Sequence, residues 1–324
     1  MYTEFYGLKA LPFELSPDPR YLMLTDRHRE ALANLQYGIS SRKSLTLMTG
    51  EAGTGKTTLI NAALASPACR GAQIVHLTNS MLSREEFIEF LAGAFGLSPE
   101  ASRSKTKMLA ELQQELQRRR DAGVTTALVI DEAQCLERDL LEEIRMLSNI
   151  ETPSEKLLPL VLVGQPEFAE RLNLPSLRQL KQRVALRCEL APLSAAETAA
   201  YVAGRVTIAG GDATTMFTRD AINEVHRGSG GIPRTIGVIC DNALVSGFAS
   251  GVKPITGQIV REVCMDFDLG RRPSPRRPDV GAAPPPAGAP AAPAAAPHAP
   301  GAGGNGADAP LFESFGRKRR FSFF

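Results

Sequence analysis

The sequence predicts an α/β fold, in which a parallel sheet has helices on both faces, followed by a small all-helical domain and a disordered C-terminal tail. Three observations support this. Short β-like runs alternate with longer helical patterns over residues 44–190, helical patterns alone follow over residues 191–268, and a Pro/Ala/Gly-rich stretch begins near Arg271. Such alternation is typical of a parallel sheet covered by helices. With 324 residues and 43% hydrophobic content, the chain can bury at least one full core.

The chain begins with a lead-in, residues 1–43, which has prolines at positions 12, 17 and 19 and then a helical pattern. We expect this lead-in to pack on the α/β domain, which is predicted over residues 44–190. The four β-like runs of that domain are Ser44 to Met48, Gln73 to Leu77, Thr126 to Ile130 and Leu158 to Val163.

The remaining chain divides into three segments. Residues 191–268 predict a small all-helical domain. Residues 269–310 are rich in Pro, Ala and Gly and can bury too little apolar surface to order themselves, so a flexible linker is predicted. Residues 311–324 end in four basic residues and three phenylalanines, a composition suited to a partner groove or an anionic membrane surface. A solvated tail with no function is the alternative.

A glycine-dense loop lies between the first β-like run and a helical pattern. From Thr49 it reads TGEAGTGKTT, which contains the full pattern G-x-x-x-x-G-K-[ST]. Glycines let backbone N–H groups turn inward around phosphates, and the next helix points its positive N-terminal end at them. We expect ATP here, with Lys56 at the β- and γ-phosphates and the Thr57 hydroxyl on Mg²⁺. The binding candidates are Gly50, Glu51, Ala52, Gly53, Thr54, Gly55, Lys56, Thr57 and Thr58.

Two adjacent acids end the apolar run that begins at Thr126. A buried parallel strand would deliver them to the C-terminal edge of the sheet, where open α/β sheets bind their ligands. We expect Asp131 to hold Mg²⁺ through water and Glu132 to orient and deprotonate a water that attacks the γ-phosphate. The alternative is a pair of solvated acids that favour the start of a helix.

Other polar residues are candidates around this site. Gln165 follows the run that ends at Val163 and is placed to contact the γ-phosphate and the attacking water, although a simple Gly/Pro turn is the alternative. Asn79 follows the run that ends at Leu77 and is a candidate to hold Glu132 in an idle pose.

Two arginine regions complete the set of candidates. Arg234 follows a proline that opens a helical pattern, so it can project from the helical domain toward the nucleotide. Arg178 and Arg183 lie near the end of the α/β domain, where an arginine can reach a phosphate on a neighbouring subunit. Solvated helix faces are the alternative for these two residues.

Charge and composition limit the other classes of function. From Arg271 onward the chain has eight basic and three acidic residues, so 29 basic and 32 acidic residues remain before it, and the folded part disfavours a broad nucleic-acid surface. The five scattered cysteines support neither a zinc site nor a disulfide framework, and we expect buried free thiols. No stretch has the length of a membrane span or the pattern of a signal peptide, so a cytoplasmic location is predicted.

In combination these motifs resemble the AAA+ ATPases of the P-loop NTPase class, and within them the ExeA-like group of secretion-associated ATPases. The resemblance covers residues 1–268. It implies a helical lid, ATP hydrolysis, ring-like homo-oligomers, and a role in assembling an envelope secretion or polysaccharide export apparatus, with peripheral attachment at the inner membrane. It also implies that Arg234 is a sensor in the lid, that Arg183 acts in trans, and that Pro12 and Phe13 lie near the adenine. The narrower motifs are Phe5 to Leu8, Pro12-Phe13, Pro17 to Arg20, Asp131 to Gln134, Leu147 to Thr152 and Leu162 to Glu167.

Three hypotheses about function remain at this point. We favour an ATPase for envelope assembly that contacts export proteins through its C-terminal peptide. Longer ExeA-type proteins continue into a membrane helix and a wall-binding domain, whereas here a linker leads to a basic-aromatic end, which argues against a direct grip on the cell wall. An ATP-dependent DNA-binding regulator, similar to transposition helpers, is the second hypothesis, and the slightly acidic folded part counts against it. The third is a scaffold that binds ATP and hardly hydrolyses it, which the acidic pair Asp131-Glu132 disfavours.

Overall fold

The computed structural model describes residues 2–14 and 23–268, which form one compact unit. The predicted linker and C-terminal peptide lie outside the described residues. The strands are β1 Leu45–Gly50, β2 Gln73–Leu77, β3 Thr126–Ile130, β4 Leu160–Gly164 and β5 Val184–Leu190. The α-helices are α1 Tyr2–Tyr6, α2 Asp26–Ser40, α3 Lys56–Leu64, α4 Arg84–Phe95, α5 Lys105–Asp121, α6 Arg138–Leu147, α7 Pro166–Arg171, α8 Arg178–Lys181, α9 Ala195–Ile208, α10 Ala213–Met216, α11 Arg219–Ser229, α12 Pro233–Ser250 and α13 Gly257–Asp266.

The five strands form one parallel sheet with the order β2-β3-β4-β1-β5. Every residue of β1, β3 and β4 is buried, as expected for central strands with helices on both sides. Because the strands are parallel, their C-terminal ends share one edge. The register pairs Thr49 with Gly164 and Gly50 with Leu190 at that edge, and Leu77 with Ile130 further along it.

Successive side chains of the central strands enter two separate apolar clusters. Leu45 and Leu47 of β1 pack in the larger cluster with α4, α5 and α6, whereas Met48 packs with α2 and α3 on the opposite face. This alternation follows from the two-residue period of a strand. The predicted arrangement of helices on both faces of a parallel sheet is therefore confirmed.

Strand β5 was not predicted from the sequence. It pairs along the whole of β1 and forms one edge of the sheet. Its residues alternate between exposed and more buried, and the charged Arg187 and Glu189 interrupt the apolar pattern. An edge strand of this kind lacks the continuous apolar run that identified the central strands.

Residues 191–268 are helical, with a core of their own. Five helices, α9 to α13, surround buried residues such as Val202, Ile236 and Leu244. Residues 2–14 contribute Tyr2, Tyr6, Leu8 and Phe13 to the same apolar cluster. We refer to residues 2–14 together with 191–268 as the helical part, and to residues 23–190 as the α/β part.

The position of residues 2–14 corrects the prediction that the whole lead-in packs on the α/β domain. Among the described residues of the lead-in, α2 does so through Ala31, Leu35 and Ile39, and Leu24 just before it packs on the same cluster. Phe13 is 2% exposed and its ring contacts the Phe217 ring edge-on, so it has no free face to offer an adenine. The helical core takes up the Phe13 side chain, so its ring is not free to stack on a base, and the expectation that Pro12 and Phe13 lie near the adenine stays a prediction.

Arg205 of α9 holds residues 2–14 in place. Its guanidinium donates hydrogen bonds to the carbonyl oxygens of Pro12, at 2.5 Å, and Glu14, at 2.9 Å, and to the Tyr201 hydroxyl, at 2.8 Å. Arg205 is only 9% exposed, and its guanidinium lies 6.0 Å from the centre of the Phe13 ring. A buried cation is tolerated here because hydrogen bonds replace its contacts with water.

The cysteines are free thiols, and four of them are buried: Cys69, Cys188, Cys240 and Cys264. Burial raises the pKa of Cys188 to about 12, which keeps this thiol protonated and unreactive. Cys135 is exposed, contrary to the expectation that all five are buried. It lies in a short 3-10 helix, Ala133–Cys135, that follows β3 at the edge of the sheet.

Candidate functional site

The glycine-rich loop connects β1 to α3 at the C-terminal edge of the sheet. Gly53 and Gly55 have φ angles of 83° and 93°, a left-handed conformation that a residue with a side chain adopts only at a cost. α3 begins directly at Lys56, so its N-terminal N–H groups face the same space as the loop. The loop therefore has the backbone form of an anion-binding turn.

Lys56 lies inside this loop. Its ammonium donates to the carbonyl oxygens of Gly50, at 2.8 Å, and Glu51, at 3.0 Å, and the residue is 7% exposed. Burial lowers the pKa of Lys56, and four surrounding carboxylates oppose this shift. These are Glu132, Asp131, Glu51 and Glu167. A polyphosphate bound beside so many carboxylates would need a divalent cation to balance the charge.

The ends of the loop and of β3 meet through a side-chain hydrogen bond. The Thr57 hydroxyl donates to Asp131 Oδ2 at 2.9 Å, and the Glu132 N–H donates to Asp131 Oδ1, also at 2.9 Å. Asp131 is 6% exposed, and its carbonyl oxygen accepts a hydrogen bond from the Ser80 hydroxyl. The structure thus brings together the two residues that were predicted as metal ligands.

Glu132 has an unusual backbone conformation. Its φ and ψ of 52° and 41° are left-handed, which costs a non-glycine residue about 1–2 kcal/mol. Its exposed side chain accepts a hydrogen bond from the Gln134 side-chain amide. Strain of this kind concentrates at functional sites, because the surrounding contacts must maintain it.

Gln165 follows β4, which pairs directly with β3, so Gln165 and Glu132 lie on neighbouring strand ends. The Gln165 N–H donates to Gln134 Oε1 at 3.1 Å. Asn79 does not take the position suggested for it, since its side-chain oxygen accepts from the Met81 N–H at 3.1 Å. The side-chain partner of Glu132 is Gln134, a residue of the motif Asp131 to Gln134 for which the sequence predicted no separate role.

The helical part touches the loop at the start of α12. The Arg234 N–H donates to the Gly53 carbonyl oxygen at 3.2 Å. A methyl group placed on Gly53 would lie 2.7 Å from Arg234 Cβ and 3.1 Å from Ile232 Cγ2. Arg234 therefore lies beside the loop, and only a glycine at position 53 permits so close an approach.

His28 also contacts the loop and was missed by the sequence analysis. It lies on the buried side of α2, with Nδ1 2.7 Å from the Thr25 hydroxyl and Nε2 3.4 Å from the Thr54 carbonyl oxygen. A carbonyl only accepts, so Nε2 carries the proton and Nδ1 accepts from Thr25. Burial lowers the pKa of His28, which favours this neutral form. A single histidine in a helical pattern gave no signal of this contact.

Arg183 lies far from this site. It immediately precedes β5, whose first residue pairs with Leu45 and whose last residue pairs with Gly50. At a rise of about 3.3 Å per residue, the length of β5 places Arg183 about 20 Å from the loop. Arg178 is exposed at the start of the short helix α8. Arg183 therefore cannot join the loop of its own chain without refolding.

The family model described as "AAA domain" matches residues 39–172, which include the loop, Asp131, Glu132 and Gln165. These residues are an AAA domain. The chain is also 42% identical over 252 residues to General secretion pathway protein A from Aeromonas hydrophila. That match covers 78% of this chain and 46% of the relative, so this chain corresponds to less than half of the relative's length. The resemblance to ExeA-like AAA+ ATPases is thereby confirmed.

Solved structures with the same fold include Cdc6p from Pyrobaculum aerophilum, with a TM-score of 0.60 and 18% identity over 79% of this chain and 70% of that one. The Aeropyrum pernix ORC2 protein has a TM-score of 0.57 and 16% identity over 80% and 72% of the two chains. The structure of Drosophila ORC bound to DNA has a TM-score of 0.59 and 20% identity, and the match covers 80% of this chain and 64% of that one. At these identities the likeness concerns the fold alone, and together with the AAA domain match it confirms the predicted fold class.

Within residues 2–14 and 23–268, no helix is both long enough and apolar enough to cross a membrane. The same residues contain no group of three or more His, Cys, Asp or Glu side chains that could hold a metal ion by themselves. A metal at Thr57 and Asp131 would therefore depend on phosphate and water oxygens, which is the usual way that Mg²⁺ binds with a nucleotide.

Proposed function

We propose that this protein binds Mg·ATP in the loop between β1 and α3 and hydrolyses it to ADP and phosphate. The observation that carries the proposal is the Thr57–Asp131 hydrogen bond, since it joins the end of a phosphate-binding loop to a buried carboxylate at the edge of the sheet. The AAA domain matched over residues 39–172 supports nucleotide binding in general.

The residues present fit both ATP and Mg²⁺. Gly53 and Gly55 open the backbone toward an anion, and Lys56 has three N–H donors to exchange from loop carbonyls to phosphate oxygens. Thr57 and Asp131 supply the oxygen ligands that Mg²⁺ prefers. When bound, Mg²⁺ neutralises charge that develops on the phosphate oxygens during transfer. Arg234 adds a further positive charge where the helical part meets the loop.

In this mechanism Glu132 orients a water molecule in line with the γ-phosphate and accepts its proton. Lys56 and the loop N–H groups bind the phosphates and stabilise the charge on them. Gln165 contacts the γ-phosphate from the neighbouring strand end, and Arg234 communicates its presence to the helical part.

Arg183 completes the site of a neighbouring subunit in a ring-like homo-oligomer. Its distance of about 20 Å from the loop of its own chain supports a role in trans. ATPase activity per subunit should then rise with protein concentration, and Arg183→Ala should lose that rise while keeping nucleotide affinity. Arg178→Ala is the matched control. An Arg183→Ala protein with full activity at high concentration would contradict this role.

The ATPase cycle serves an envelope secretion or export apparatus, at the cytoplasmic side of the inner membrane. This part of the proposal rests on the 42% identity to General secretion pathway protein A. The C-terminal peptide, residues 311–324, is the proposed contact to export proteins, because its basic and aromatic composition suits a partner groove.

Two variants test the chemistry. Lys56→Ala should abolish ATP binding, measured with a fluorescent ATP analogue, because it removes the buried cation of the loop. Glu132→Gln should keep ATP affinity and lose turnover by on the order of a hundredfold or more, since it removes the base. Tight binding by the first variant, or full turnover by the second, would refute these roles.

A pull-down tests the biological role. Tagged Glu132→Gln protein, held with Mg·ATP, is compared with the same protein truncated after Leu269, and bound proteins are identified by mass spectrometry. Envelope components that disappear with the truncation would support the secretion role. Nuclease-sensitive complexes that contain a recombinase would replace it with the DNA-regulator hypothesis.

A further inference from the structure

We propose that Gln134 is a positioning residue that restrains Glu132 and releases it when the end of β4 moves. This inference rests on the proposed function, because it assigns a regulatory contact to the same ATPase site. The structural basis is a continuous chain of hydrogen bonds from the Gln165 backbone through the Gln134 side-chain amide to the Glu132 carboxylate.

The two ends of the Gln134 amide have different partners. Its nitrogen donates to Glu132 Oε2, and its oxygen accepts from the Gln165 N–H at 3.1 Å. These partners fix the orientation of the amide. If it were flipped, its NH₂ group would face the Gln165 N–H, which is also a donor, and its oxygen would face the Glu132 carboxylate, which is also an acceptor. The side chain therefore connects two strand ends in one defined way.

The backbone around Gln134 is also held in place. The Arg171 guanidinium donates to the carbonyl oxygens of Gln134, at 3.2 Å, and Leu136, at 2.6 Å. On the other side, a Cβ at Gly164 would lie 3.2 Å from Gln134 Oε1, so the glycine leaves room for the amide against β4. Since the backbone is fixed, the state of the contact depends on where Glu132 and Gln165 lie.

This arrangement makes the position of the Glu132 carboxylate dependent on Gln165. The hydrogen bond donated by the Gln134 amide occupies an oxygen of Glu132 that would otherwise accept a proton from water. Displacement of the Gln165 N–H removes the partner that orients the amide, and the Glu132 bond loses its alignment. Contact of the β4 end with a γ-phosphate would thus free Glu132 only when the substrate is in place.

Substitution of Gln134 tests the restraint. Gln134→Ala removes both bonds, and Gln134→Glu keeps an acceptor for the Gln165 N–H while replacing the donor to Glu132 with a negative charge. Both variants should raise basal kcat by about tenfold, as expected for loss of one hydrogen bond to a charged group, with unchanged affinity for a fluorescent ATP analogue. Gln117→Ala is the matched control, since the Gln117 side-chain amide donates in the same way to Asp121, at 2.9 Å, on the exposed face of α5.

Two further measurements separate a restraint from a merely structural role. In a Glu132→Gln background, Gln134→Ala should give no rise in kcat. In the protein without nucleotide, Gln134→Ala should lower the melting temperature less in a Glu132→Ala background than in the wild type. In that background the hydrogen bond between the two side chains is already absent.

Unchanged or lowered kcat in both Gln134 variants, with unchanged nucleotide affinity, would overturn the restraint and leave the proposed ATPase function standing. So would independent effects of Gln134→Ala and Glu132→Ala on melting temperature. If the wild-type protein neither binds nor hydrolyses ATP, or if Lys56→Ala binds it normally, the proposed function fails and this proposal fails with it.

Discussion

The contact between Gly53 and the start of α12 leads to a quantitative prediction for a pair of glycine variants. Gly53→Ala and Gly55→Ala each place a side chain on a left-handed residue of the same loop, which costs about 1–2 kcal/mol in either case. Only Gly53 is crowded, with Arg234 Cβ 2.7 Å and Ile232 Cγ2 3.1 Å from the added methyl group. Gly55 has no atom within 4 Å of that methyl position.

Relief of this crowding requires the start of α12 to move away from the loop. That movement breaks the hydrogen bond from the Arg234 N–H to the Gly53 carbonyl oxygen, which contributes about 1 kcal/mol. We therefore expect Gly53→Ala to lower the free energy of unfolding by about 2–3 kcal/mol and Gly55→Ala by about 1–2 kcal/mol. The difference of about 1 kcal/mol corresponds to about 2–4 °C in melting temperature for a folded part of this size.

The assay is thermal unfolding of both variants without nucleotide, at one protein concentration, with urea titration as a second measure. Arg234→Gly provides an internal check, because it removes the Cβ that crowds Gly53 and should reduce the excess loss in the Gly53→Ala background. Equal losses in the two glycine variants would refute the reasoning, as would a larger loss for Gly55→Ala.

Two more predictions concern residues that attach neighbouring segments. Arg205→Met should lower the free energy of unfolding by about 2–4 kcal/mol, because the Pro12 and Glu14 carbonyl oxygens lose their donor. Urea titration measures this loss, and limited proteolysis of the variant should cut near residue 14. His28→Gln tests pH dependence. Burial lowers the pKa of His28, so as pH falls below about 6.5 this histidine binds a proton in the unfolded chain but not in the folded one. The free energy of unfolding of the wild type, measured by urea titration, should therefore fall more steeply below that pH than that of the variant.

The phosphate-binding loop and the end of β3 could be predicted from the sequence because their signals are local. A glycine pattern between an apolar run and a helix specifies a turn, and two acids after a buried run specify a strand end. Their partnership follows from parallel topology, which brings strand ends to one edge. The Thr57–Asp131 bond is the physical outcome of those two local signals.

Other features depend on contacts between distant parts of the chain, which no local pattern reports. Phe13 packs on Phe217, so the prediction for the lead-in failed although its apolar residues were visible. β5 was missed because Arg187 and Glu189 are acceptable only on an edge strand. The contacts of His28 and Gln134 with the site depend on side-chain geometry over neighbouring elements, and residue type alone does not determine that geometry.

The packing of residues 2–14 has a topological consequence. These residues belong to the helical part, yet they precede the α/β part in the chain, so the α/β part is an insertion within a discontinuous helical domain. Two covalent crossings therefore join the bodies, one over residues 15–22 and one after β5. Contacts such as Phe13 on Phe217 therefore join residues on either side of the whole α/β part, and the core of the helical part is complete only when both its chain segments are present.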